Sequence, residues 1–163
     1  MQLDEVRTLF GYDTWATAKI LDQAEHLTAE QYVAPVGANG QNIGQVLAHM
    51  LIARHLWRVR FETGETALAI APDDFPTLAA FRAGWEREQT AFDAYLATLD
   101  DAALGQPVRF TRRGGSHAFT LWHLLMQLIT HGTQHRAELA EWLTGFGHSP
   151  GDLDFFLYIA APR

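Results

Sequence analysis

The sequence predicts an all-α protein built as a four-helix bundle with crossover connections. Three observations carry that reading. Four stretches of about 20 residues each repeat apolar side chains at three- and four-residue steps, the period of a helix with one buried face. Glycine, proline and asparagine punctuate the gaps between them. Apolar residues make up 48% of the chain and charged residues 19%, which supplies a core and argues against disorder. At 163 residues the chain is the size of one domain, taken as residues 1–163.

The first helix is expected over Leu3 to Glu25, with Val6, Leu9, Phe10, Asp13, Ala16, Ile20 and Leu21 as its stripe. Thr28 and the run from Pro35 to Gly40 break it. The second starts near Asn42, a suitable N-cap, and reaches Thr63, where Gly64 stops it. Its stripe is Ile43, Val46, Met50, Ala53, Trp57 and Phe61. The third covers Thr77 to Leu99, with Thr77 as the candidate cap. Two short extended pieces, Val108–Thr111 and His117–Thr120, flank Gly114-Gly115 and read as a small hairpin. The fourth long helix runs from Leu121 to Thr144, ahead of Gly145 and Gly147. A short helix near Leu153–Ile159 is expected to pack across one end. The loops are too long for a minimal up-down bundle, so one or more crossovers are expected.

A formal net charge of −7 is a poor match to a phosphate backbone, so no nucleic-acid partner is expected. The small basic cluster Arg109, Arg112 and Arg113 reads as a local loop feature, at most an anion contact. With no cysteine, disulfides, thiolate zinc sites and a cysteine nucleophile are excluded. The acidic segment MQLDEVRTLF does not resemble a signal peptide, and no apolar run spans a membrane. The expected location is the cytoplasm.

Histidine is the compositional outlier, with eight copies. His131 and His135 are four apart on the fourth helix, which places two imidazoles on one face, one turn apart. The seam Leu121, Leu124, Leu128, His131, His135, Glu138, Trp142 keeps three- and four-residue steps, so both histidines are expected to point into the bundle. Imidazoles buried that way need partners, and a metal ion supplies them. His49, on the apolar side of the second helix, is the best third ligand; read alone it is more often a hydrogen-bonded core histidine. Three imidazoles leave a divalent ion with open positions, as in catalytic zinc sites. Imidazole suits zinc, nickel, copper and iron alike. Glu138 shares the histidine face, as an acceptor behind a ligand or as a partner for an arginine. His26, His55, His117 and His148 read as helix-end, surface, hairpin and turn residues, and His123 as a rim residue. No general base is named.

Three pieces of the chain resemble the DinB/YfiT-like superfamily of metalloenzymes. They are Phe10-Gly11-Tyr12-Asp13-Thr14-Trp15-Ala16, then Ile43 through His49 with Trp57 downstream, then Leu121 through Leu125 and His131-Gly132-Thr133-Gln134-His135-Arg136, followed by Gly145 and Asp152. The resemblance implies a four-helix bundle with crossover topology. It also implies one divalent metal, zinc or nickel, at His49, His131 and His135, and a homodimer. Some relatives act on small molecules with a bacillithiol- or mycothiol-like thiol that the metal activates.

The leading expectation is a metal-dependent enzyme acting on a small molecule, by thiol transfer or hydrolysis. The alternative is a non-catalytic metal-binding, stress-related interaction protein. A metal-free bundle with fortuitous core histidines is the third reading.

Overall fold

The computed structural model describes residues 1–161 other than 38, 67, 68 and 113. Arg113 of the basic cluster and Ala38 of the first break therefore lie outside the described residues. Among the described residues, seven α-helices and one hairpin follow in order: α1 (Leu3–Ala24), α2 (Ala29–Val33), α3 (Ile43–Thr63), α4 (Leu78–Ala97), α5 (Asp101–Leu104), β1 (Pro107–Arg112), β2 (Gly115–Thr120), α6 (Leu121–Gly145) and α7 (Phe155–Ala160). The long helices α1, α3, α4 and α6 match the four expected segments.

Local chemistry sets their ends. Asn42 caps α3 by accepting from the Gln45 amide at 2.8 Å, and Thr77 caps α4 by accepting from the Ala80 amide at 3.2 Å. Gly64 closes α3 at φ +74°, a left-handed turn that a side chain would strain. Thr28, expected only as a break, caps the short helix α2. The strands pair antiparallel with Phe110 opposite His117 and Arg112 opposite Gly115.

The buried apolar residues form two clusters. One holds Ile20, Leu21, Leu47, Leu51, Phe81, Trp85, Leu139 and Leu143; the other holds Val6, Phe10, Phe92, Leu96, Leu125 and Ile129. Following each helix through these clusters gives its direction. Helices α1 and α6 run from the second cluster to the first, and α3 and α4 run the other way. The principal packing is α1 on α6, α6 on α3, and α3 on α4, with a shorter α1–α4 contact. Consecutive helices α1 and α3, like α4 and α6, therefore stand at opposite corners. This is the crossover arrangement the loop lengths require. The α3–α4 connection must return along the bundle, and Phe75 pins it. A Cβ on Gly84 would come within 2.6 Å of the Phe75 ring, so only glycine admits that ring.

A polar layer separates the two clusters. Asp13 of α1, 4% exposed, accepts from Arg54 of α3 at 2.9 Å and from Arg136 of α6. Arg136 also donates to Thr133 at 3.1 Å, and Arg54 to Gln89 of α4 at 2.9 Å. The Arg54 guanidinium lies 4.4 Å from the Phe92 ring centroid and 5.2 Å from that of Trp85. Buried charges of this kind persist only when paired. Here they lock three helices in register at mid-height.

Candidate metal centre

The expected metal ligands come together, but at the rim rather than in the core. The buried stripe of α6 in its second half is Gly132, Arg136, Leu139 and Leu143. His131 and His135 sit one position earlier, about 100° around the helix. They are half-buried, and His49 across the groove on α3 is exposed. The inward orientation read from the seam is thus displaced by one residue. Arg136 takes the core position because Asp13 waits there to neutralise it. Gly132 lies directly over that pair: a Cβ there would stand 2.8 Å from both an Arg136 nitrogen and an Asp13 oxygen. Glycine at 132 therefore serves the ion pair beneath the histidines.

The three imidazoles converge through one nitrogen each. His49 Nε2 is 3.0 Å from His131 Nε2, which is 3.2 Å from His135 Nε2. A tetrahedral ion with bonds of about 2.0–2.1 Å separates its nitrogen ligands by roughly 3.3 Å. The cluster could hold one metal ion, since its three ligand nitrogens all lie within 4.8 Å of one another. The protonation pattern supports this fit. Glu138 Oε2 lies 2.7 Å from His135 Nδ1, and an ionised carboxylate only accepts, so that nitrogen carries the proton. In the neutral ring, His135 Nε2 is then the lone-pair nitrogen, aimed at its neighbours. A single proton on His131 satisfies one of the two Nε2 contacts and leaves the other unmatched. A cation among the three nitrogens satisfies all of them.

Electrostatics favour the neutral, ligating form of His131 and His49. Burial pushes His131 down to about 4, assisted by His135 and His49 and opposed by Glu138. His49 is lowered too, mainly by burial. A cavity of about 20 Å³, the size of one water, lies between His131, Gly132, Asp13, Arg54 and Trp85. It connects the back of the histidine cluster to the polar layer. An apolar cleft of about 330 Å³ beside α2 and the start of α4, lined by Leu27, Tyr32 and Leu78 among others, brings no metal-binding group together among the described residues.

The other histidines fall elsewhere. His55, read as surface, is packed against Glu88 of α4 at 2.9 Å, and Glu88 also accepts from Arg58 at 2.7 Å. His117 stacks on Phe110 in the hairpin, and His26 and His148 pair at 5.6 Å between ring centroids. His123 is exposed on α6, beside Trp122. The sequence reading passed over Asp13, Arg54 and Arg136 as a group. The available signal was a carboxylate inside the apolar stripe of α1, which calls for a buried cation on a neighbouring helix.

Comparison with known proteins places this arrangement among relatives. A model of the DinB family matches residues 1–163. The protein DinB of Bacillus subtilis (strain 168) is 24% identical over 159 residues, covering 93% of this chain and 91% of that protein. A DinB-like protein of Bacillus cereus superposes with a TM-score of 0.73 at 22% identity, covering 93% of this chain and 97% of the other. YfiT of Bacillus subtilis, described as a probable metal-dependent hydrolase with an unusual four-helix bundle topology, gives 0.69 at 20% identity, covering 90% and 89%. At these identities the two structures speak to the fold.

Proposed function

Because this chain belongs to the DinB family, we propose that it is a metal-dependent hydrolase of a small molecule, working through one divalent ion held by His49, His131 and His135. The observation that carries the proposal is the convergence of three Nε2 atoms on one point at the rim of the bundle, at 3.0 and 3.2 Å, with His49 open to solvent. A site meant only to fix two helices gains nothing from facing water. A divalent ion there supplies Lewis acidity, lowering the pKa of water or a thiol bound beside the three ligands. The chain's own residues do the rest. Glu138 holds the Nδ1 proton of His135 and so fixes its ring. Asp13 and Arg136 hold α6 at the height where its histidines meet His49.

The likeness to YfiT favours hydrolysis over transfer to a bacillithiol- or mycothiol-like thiol, which the same open face would admit as a co-substrate. Zinc or nickel suits three imidazoles. No helix of the described residues is long and apolar enough to cross a membrane. A cytoplasmic location belongs to this proposal on the strength of the cysteine-free composition. A homodimer also belongs to it, with α7 as the candidate face: Phe155, Phe156, Leu157 and Ile159 are exposed there together.

The test is elemental analysis of protein purified without a metal-affinity tag, beside the double variant His131→Ala, His135→Ala. Near-stoichiometric divalent metal is expected in the wild type and none in the variant. Wild-type protein that carries no metal and takes up none on addition overturns the proposal. With metal established, hydrolysable esters and amides are to be assayed with and without added thiols.

A further inference from the structure

The last turn of α3 holds a cation with no counterion. Arg60 is 4% exposed, and its guanidinium lies 4.7 Å from the Trp57 ring centroid and 4.8 Å from that of Phe110. Among the described residues its side chain makes no hydrogen bond or ion pair, and its Nε is enclosed without a partner. The Nε of Arg54 is enclosed in the same way, so what sets Arg60 apart from the other buried arginines is the missing counterion. Arg54 and Arg136 share Asp13, whereas the charge acting on Arg60 is Arg112, another cation. Burial and Arg112 both push Arg60 below its ordinary value. The nearest carboxylate in sequence, Glu62, is taken by Arg58 at 2.8 Å.

The hairpin adds complementary groups. Alternation along β1 puts Arg112 on the same face as Phe110, the ring against which Arg60 stacks. His117, opposite Phe110, shares that face. Its Nε2 lies 3.5 Å from where a Cβ on Gly115 would stand, and Gly115 is the residue opposite Arg112. The imidazole therefore leans toward Arg112. A cleft of about 500 Å³, walled by Gly64, Arg109, Thr111 and Ser116, reaches Phe110 and His117 at the hairpin; Arg60 and Arg112 lie outside its wall. The place is distinct from the histidine cluster: Arg60 follows His49 by 11 positions, about 16 Å along α3.

We infer that Arg60, Arg112 and His117 form a binding site for a phosphate-type oxyanion at the junction of α3 and the hairpin. The anion supplies the counterion that Arg60 lacks. The planar guanidinium is held over the two aromatic rings, which restrains its donors for a tetrahedral oxyanion. Arg112, exposed on the strand, is the mobile second donor, and His117 adds a third. Arg112, from the basic cluster of the sequence, is thereby one part of a site that a buried arginine 52 positions earlier completes.

The test is calorimetric titration of the intact protein with inorganic phosphate at ionic strength held constant with sodium chloride. Saturable binding is expected. Arg112→Ser should weaken it roughly tenfold or more, the worth of one charge-assisted hydrogen bond. Arg60→Met, which keeps the stacked stem, should abolish it. His49→Ala should leave it within about twofold, since that site is separate. If Arg60→Met does not fold, Arg60→Lys replaces it; that variant keeps the charge, loses the fork and should still weaken binding. Acetate at equal concentration should bind much more weakly. Absence of saturable binding overturns the inference. So does affinity unchanged in the arginine variants, affinity lost in His49→Ala, or acetate binding as well as phosphate does.

Discussion

Residues 131 and 132, and again 135 and 136, are chain neighbours on α6 that face opposite environments. Arg136 and the gap left by Gly132 belong to the polar layer, where a buried carboxylate is shared by two guanidiniums. His131 and His135 belong to the rim, where half-buried rings gather uncharged lone pairs beside solvent. The layer is complete within the protein. Every charge in it has a partner, and removing one strands the others. The rim is incomplete without something from outside. The layer holds stability and register, whereas the rim is where the proposed ion would sit. The two touch along a single turn, so each helical register that suits the core also aligns the ligands.

Asp13→Ala should have the largest effect. It leaves Arg54 and Arg136 buried without compensation, at a cost of about 3–5 kcal/mol in folding free energy. Urea denaturation of the metal-free protein checks it. A loss below about 1 kcal/mol would mean that water already reaches the layer, and the contrast with the rim would dissolve. Gly132→Ala comes next, because its Cβ would enter the Asp13–Arg136 contact. The overpacking cost is about 1–3 kcal/mol, offset by a helix-propensity gain of roughly 1 kcal/mol. Metal affinity should fall with it, since α6 must shift; unchanged affinity would show that the rim does not depend on the layer beneath.

Glu138→Ala sharpens the comparison from the other side. It removes the acceptor behind His135 without touching the core. Metal affinity should drop about 10- to 100-fold, the usual effect of losing such a partner. Folding stability of the metal-free protein should stay within about 0.5 kcal/mol. A competition titration against a chromophoric chelator measures the first and urea denaturation the second. Equal losses in both would make Glu138 a structural residue.

The four long helices and their ends were legible because periodicity and capping are local: Asn42, Thr77 and Gly64 act on neighbours within four residues. The short helices α2 and α5 were not, since four or five residues carry too little pattern. The histidine triplet was legible as a set but not in its depth. Leu124 with Leu125 and Leu128 with Ile129 are all buried, so two seams one residue apart fit the first half of α6 equally well. What decides between them is Arg136, and an arginine reads as a core residue only when its partner 123 positions away is known. The same holds for His55, whose partner Glu88 lies on another helix. Long-range charge pairing is the information that periodicity lacks.

The smallest expected effect is a pH dependence that separates the two regions. In the metal-free protein His131 titrates near 4, against 6.5 for an ordinary histidine. As pH falls below 6.5 the unfolded chain takes up a proton that the folded chain declines until about pH 4. The contribution of His131 to stability is therefore fully present above pH 6.5, is lost progressively between 6.5 and 4, and changes no further below that. His49, lowered in the same direction, adds to the slope. The quantity to measure is the difference in Tm between wild type and His131→Ala across this window, which isolates the contribution of this ring. The wild type should lose more Tm than the variant on going from pH 6.5 to 4, and the gap should be constant above 6.5. Parallel curves throughout would mean that the ring is solvated as freely in the folded state as in the unfolded one. In that case the convergence of the three Nε2 atoms is not maintained without an ion, and metal binding must itself assemble the site.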